Sequence, residues 1–237
     1  MRRIVRKWNE IWSGGATPRR KMEHVFAETH RSNSWGSDES VSGPGSTQQR
    51  GASFRDDLVA ALHDLGARVL LDAPCGDFNW IGPVADAVDQ YLGVDVVPEI
   101  IAENLRRHSR PHRQFLRLDL TRDPLPPADV VLCRDGLVHF RTADIWRALA
   151  NLRRSGARYL ITTTFIGDRE NEEVVTGGWR PLNLERPPFC FPSPQRLIDE
   201  RCWHTGGIYA DKRLGVWGMG DLPRHGSAPP SSLRRPV

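Results

Sequence analysis

A chain of 237 residues with 39% hydrophobic and 26% charged side chains suits one globular domain with trimmings and a full hydrophobic core. The net charge of +4 comes from 33 Lys and Arg set against 29 interspersed Asp and Glu, which favours solvated arginine faces over a phosphate-tracking stripe. No apolar run reaches the roughly 18 residues that cross a bilayer, and no apolar core follows the basic N-terminus as a secretion signal would require.

In chain order, residues 1–14 carry Ile4, Trp8, Ile11 and Trp12 at helical spacing among basic residues. They read as an amphipathic helix that packs on its own domain or joins two copies as a homodimer, with membrane attachment disfavoured. Residues 13–23 read as a linker. Residues 26–50 are rich in Ser and Gly, which fits disorder. Yet Trp35-Gly36 and Ser42-Gly43-Pro44-Gly45-Ser46 are too particular for a featureless connector. A lid-like loop is the expectation, with Trp35, Ser42 and Ser46 closing over a ligand. The domain proper is then 51–222, and the tail 223–237 has the composition of a disordered segment.

Residues 54–65 form an amphipathic helix with Leu58, Leu62 and Leu65 on one stripe and Gly66 as its stop. Val69-Leu70-Leu71 reads as a buried parallel strand closed by Asp72. A tight turn follows, Ala73, Pro74, Cys75 and Gly76, and after Asp77, Phe78, Asn79 and Trp80 the pattern turns helical. A dinucleotide cradle needs three glycines spaced G-x-G-x-x-G, and only Gly76 is present. An acid at a strand tip with one close-approach glycine instead suits a ligand carrying an ammonium group and a ribose.

A helix over 81–88 leads to a second strand, 91–95. Asp95 lies about 20 residues past the turn, where an acid accepts from ribose hydroxyls; the alternative is a cap on the helix begun by Pro98-Glu99. That helix runs to about Arg107. Residues 114–120 read as a strand ending at Asp119, and 128–133 as a fourth strand leading into Arg134-Asp135-Gly136-Leu137-Val138-His139. Asp135 and His139 are the evident acid/base pair at a strand tip; the alternative for His139 is a core or capping histidine.

Residues 143–152 are a helix with Ile145, Leu149 and Leu152 facing inward, and 158–165 a fifth strand. Two glycines and three prolines within 177–189 exclude a regular helix. A rigid loop there serves as a substrate wall through Trp179, Asn183 and Phe189, or those residues only pack the loop. Residues 194–200 read as a helix, and 207–209 with 214–219 as a terminal hairpin. The cysteines Cys75, Cys133, Cys190 and Cys202 form no C-x-x-C pair, which fits reduced thiols in the cytoplasm and no metal site.

The stretch D-A-P-C-G-D around Cys75-Gly76 resembles motif I of the class I S-adenosylmethionine-dependent methyltransferases, in the form of a bacterial subgroup. Pro74 and Phe78 stand where the outer glycines of that motif fall. The resemblance implies an α/β fold, a doubly wound and mostly parallel seven-stranded sheet ending in an antiparallel hairpin. It assigns to the cofactor Asp72, Ala73, Pro74, Cys75, Gly76, Asp77, Phe78, Asn79 and Trp80, then Asp95 and Val96 for the ribose. Asp119 would accept from the adenine amino group with Leu120 against the ring, unless it is an ordinary turn aspartate. Arg134 follows from the likeness of its segment to motif IV. A segment like Trp35…Ser42…Ser46 precedes the domain in that subgroup.

The implied activity is methyl transfer from S-adenosylmethionine to an oxygen or nitrogen of a small-molecule acceptor, a sugar or secondary metabolite, by in-line displacement without a metal. An RNA or protein methyltransferase and a non-catalytic S-adenosylmethionine-binding protein are the alternatives. Nucleobase methylation is disfavoured, since C-R-D-G replaces the N-P-P-Y-type motif of that group.

Overall fold

Apolar runs ending at turns build a central sheet. In a computed structural model, which describes residues 20–202 and 206–226, the strands are β1 (Val69–Asp72), β2 (Gln90–Asp95), β3 (Arg113–Arg117), β4 (Val130–Cys133), β5 (Tyr159–Phe165), β6 (Arg196–Asp199) and β7 (Lys212–Gly218). Their order is β3-β2-β1-β4-β5-β7-β6, with β1 to β5 parallel and β7 antiparallel to both β5 and β6. This is the doubly wound methyltransferase-type sheet with an antiparallel C-terminal hairpin. The order reverses between β1 and β4, and such a reversal opens a crevice at the carboxyl ends of the strands. Asp72 and Cys133 end the strands that flank it.

Adjacent residues of a strand point to opposite faces, so a strand covered on both sides is apolar throughout. Leu71, Val131 and Leu160 pack on one face with Ile145, Leu149 and Leu152 of the helix Thr142–Arg154. Leu70, Val130 and Ile161 pack on the other with Leu58 and Leu62 of the helix Arg55–Asp64. Each such fully buried side chain contributes about 1.5–3 kcal/mol. The helix Pro98–His108 is signalled at both ends: Pro98 and Glu99 suit its first turn, and Arg106, Arg107 and His108 suit the negative end of its dipole.

Four expectations need correction. Linker residues 20–23 and the start of the Ser/Gly-rich segment belong to a helix, Arg20–Arg31, because Met22, Phe26 and Ala27 recur at helical spacing and meet the core. The helix over 81–88 shortens to Gly82–Ala85. Residues 194–200 supply β6, not a helix: adjacent Leu197 and Ile198 fit either period, and pairing with β7 decides. The hairpin partner of β7 is therefore β6, while Gly207–Tyr209 lies in a turn. The expected helix over 1–14 lies outside the described residues.

Candidate active site

The turn after β1 is shaped by two close approaches. Gly76 sits at φ +54, and a Cβ there would lie 2.3 Å from Ser42 Oγ. A Cβ on Gly136 would lie 2.5 Å from Pro74 Cδ, so the turns after β1 and β4 touch. Asp95 braces the first turn from β2: its Oδ2 accepts from Gly76 N at 3.1 Å and its Oδ1 from Val97 N at 3.0 Å.

Residues 39–48 are strapped across this turn. Ser40 Oγ and Val41 N donate to Asp77 Oδ2 at 2.8 and 3.0 Å, and Asp77 N donates to Ser42 Oγ at 2.9 Å. Asn79 Nδ2 donates to Ser46 O at 3.0 Å, and Arg134 Nη2 to Gly45 O at 2.9 Å. Asp77 and Asn79 therefore clasp the strap.

Beyond β4, Asp135 has a left-handed backbone (φ 51), a conformation that non-glycine residues hold mainly at over-determined sites. Its N–H donates to Thr163 Oγ1 at 2.8 Å, and Lys212 Nζ donates to its Oδ2 at 2.7 Å. Burial pushes the Asp135 carboxyl up, but Lys212 and Arg134 outweigh this and hold it well below the usual range. Behind it, Arg134 Nη2 lies 2.6 Å from Glu200 Oε2, and Lys212 Nζ lies 3.3 Å from the same atom. The guanidinium packs beside the Phe54–Trp80 pair, 4.9 and 5.0 Å from their centroids. Burial opposes the charge of Arg134, while Glu200 and Asp135 more than restore it.

His139 Nδ1 lies 2.8 Å from the Gly178 carbonyl. A carbonyl only accepts, so Nδ1 carries the proton and the neutral ring keeps its lone pair on Nε2. Burial lowers the pKa of His139, keeping it neutral at physiological pH. Trp35 and Phe26 pack at 5.1 and 6.4 Å from its ring.

One cleft collects Asp72, Pro74, Cys75, Gly76, Trp80, Asp95, Val96, Leu120, Arg134, Asp135 and His139, with Trp35, Ser42 and Ser46 from the strap side. The remaining candidates lie elsewhere. Ala73 is buried in the core. Phe78 packs between Tyr91 and Phe115, each 5.3 Å away. Asp119 borders a neighbouring groove, its Oδ1 accepting from Thr121 N and Oγ1 at 2.8 and 2.6 Å.

The three substrate candidates are not in the cleft. Asn183 is buried and donates to Gly167 O at 3.0 Å, and Phe189 is buried 5.5 Å from Trp146. Trp179 is half-exposed and packs on Tyr209 at 5.2 Å. A loop that fixes its own shape needs such residues as much as a substrate wall does.

Residues the sequence reading missed also line the cleft, among them Met22, Phe26, His30 and Phe140. His30 Nδ1 is buried without a hydrogen-bond partner. Burial raises the pKa of Asp95 against the backbone N–H groups of Val97 and Gly76, which lower it. The helical spacing of Met22, Phe26 and His30 was the signal available. Among the described residues, no group of three or more His, Cys, Asp or Glu is placed to hold a metal ion. Nor is any helix there long and apolar enough to cross a membrane.

The profile of a family described as a methyltransferase domain matches residues 70–157, from β1 to the edge of β5. Over those residues the chain is similar to a methyltransferase domain. No curated protein gives a significant match. Among solved structures, the chain is similar to human N-acetylserotonin methyltransferase in complex with SAM, with a TM-score of 0.53 and 13% identity, covering 85% of this chain and 59% of that one. It is also similar to magnesium protoporphyrin IX methyltransferase from Synechocystis PCC 6803 (TM-score 0.48, 17% identity, 68% of this chain and 82% of that one). A third is the N-methyltransferase NodS from Bradyrhizobium japonicum WM9 (TM-score 0.45, 13% identity, 59% of this chain and 73% of that one). At these identities the likeness is one of fold.

Proposed function

We propose that the cleft binds S-adenosylmethionine and that the enzyme moves a methyl group to an oxygen or nitrogen of a small-molecule acceptor. One observation carries this: Asp72, the Gly76 turn and Asp95 face a single cleft that also holds the Nε2-basic His139. Bound there, the cofactor supplies a methyl group activated by a sulfonium centre. Asp95 would accept from the ribose hydroxyls with its carboxylate. Val96 and Leu120 would flank the adenine, and Asp72 would face the ammonium group. His139 would accept the proton of the acceptor through Nε2. Asp135, already committed to Lys212, would fix the shape of the strand tip rather than take a proton. The strap and the Met22–Phe26–Trp35 wall favour an acceptor small enough to be enclosed.

Replacing Asp95 by alanine is expected to weaken S-adenosylhomocysteine binding about 100-fold in titration calorimetry. Two hydrogen bonds to a charged acceptor are worth roughly 1.5–3 kcal/mol each, and about 1.4 kcal/mol is a factor of ten. Wild-type protein that does not bind the ligand at all would remove the proposal. Transfer of label from S-adenosylmethionine into the small-molecule fraction of a cell extract, absent with Asp95→Ala, would identify the acceptor class.

The pH dependence of binding offers a second check. Burial pushes the Asp72 carboxyl up to about 7, although Tyr91 Oη donates to its Oδ2 at 2.6 Å and pulls the other way. Below that pH Asp72 is neutral and offers a cationic ligand no charge. Above it the carboxylate attracts the ammonium group. Affinity for S-adenosylmethionine should therefore rise several-fold between pH 6 and 8, and Asp72→Asn should flatten the rise. An equal slope in the variant would assign the titration to another group.

A further inference from the structure

A second concavity, separate from the motif I turn, lies on the outer face of the helix Thr142–Arg154. Arg122, Arg141, Arg147 and Arg154 line it, against two carboxylates, Asp119 and Asp144. Three of these arginines are held by buried anchors. Arg141 Nε and Arg147 Nη1 donate to Asp144 at 3.1 and 2.7 Å, and Asp144 is further fixed by Thr176 Oγ1 at 2.7 Å. Arg154 Nη2 donates to Asn151 Oδ1 at 2.8 Å, and buried Asn151 is itself tied to the carbonyls of Leu120 and Asp123.

A guanidinium has five donors. Each of these three bonds uses one nitrogen and orients the rest, so little side-chain order remains to be imposed on binding an oxyanion. Arg147 and Arg154 stand two turns apart, about 10 Å along the axis at 1.5 Å per residue. Ala150 lies between them on the floor, where a larger side chain would fill the space. That span exceeds one phosphate and suits two linked ones. At the rim Val175 is 80% exposed beside Met22 and Val25, an apolar surface for the rest of the molecule.

We propose that this groove binds a diphosphate ester whose phosphates lie along Arg141, Arg147 and Arg154 and whose organic part rests on the Val175 rim. The site is distinct from the cofactor cleft and independent of methyl transfer, although Met22 lines both.

Calorimetric titration of the full chain with inorganic pyrophosphate tests it. Saturable binding is expected for the wild type, with affinity at least tenfold weaker in the Arg147→Ala/Arg154→Ala double variant. It should be unchanged in Arg106→Ala/Arg107→Ala, a surface arginine pair beside Glu103 on another helix. Arg147→Gln gives the same reading, a several-fold loss, should the double variant melt early. No saturable binding to the wild type, or equal weakening in both double variants, overturns the assignment and leaves only diffuse attraction to a basic surface.

Discussion

His139→Ala is expected to lower the rate of methyl transfer by about two to four orders of magnitude, the usual contribution of a positioned general base, while S-adenosylhomocysteine affinity changes little. The geometry gives the reason. Gly178 O fixes the proton on Nδ1 at 2.8 Å, so the single lone pair of the neutral ring sits on Nε2. Because burial depresses the pKa of His139 below its usual 6.5, the base-competent form dominates above that value and is lost as pH falls through it.

With S-adenosylmethionine saturating, so that the Asp72 titration does not enter, the wild-type rate should therefore fall only on the acid side, below about pH 6.5, and His139→Gln should lose that limb along with most of the rate. The measurement is label transfer from S-adenosylmethionine across pH 5–8. A variant that keeps the full rate would mean that alignment alone drives the reaction, as it can for a good nucleophile.

Glu200→Ala should cost about 3–5 kcal/mol of stability, the usual result of breaking a buried ion pair by removing one partner. Glu200 is 1% exposed, and its Oε2 serves both Arg134 at 2.6 Å and Lys212 at 3.3 Å. Without it two buried cations face Asp135 alone, and the guanidinium stays packed against the Phe54 and Trp80 rings. At roughly 2–4 °C per kcal/mol for a domain of this size, the midpoint of thermal unfolding should drop by about 10 °C.

Glu200→Gln, which keeps the acceptor and loses the charge, should fall between. An unchanged midpoint in Glu200→Ala would show that the cluster is solvated. The same loss should loosen the strap, since Arg134 also donates to Gly45 O.

His139 as a base was legible in the sequence, with much of the frame, but the placement of its proton by Gly178 and the Glu200 cluster were not. The strand–turn–helix pattern around Asp72 and Gly76, and the place of Asp95 about 20 residues on, are local and periodic, and short-range sterics decide them. The edges of that reading failed where local signals were ambiguous. Leu197-Ile198 suits a helix or a strand until β7 offers its edge. Met22, Phe26 and His30 were hidden under a Ser/Gly-rich segment that only starts after the helix ends.

By itself the sequence determined the five parallel strands, the tight turn at Gly76 and the acids Asp72 and Asp95 at two strand tips, because these depend on side-chain period and on which residues tolerate a tight turn; the order of the strands came from the family resemblance. Tertiary structure alone decided that Asp77 and Asn79 hold the strap instead of lining the cleft, and that Trp179, Asn183 and Phe189 stay outside it. It also decided that Glu200 and Lys212 complete the strand tip, and that four arginines spread from 122 to 154 share one groove. These are pairings between residues far apart in the chain. Which distant partner a charged or polar group meets depends on how the layers stack, and no local pattern carries that information.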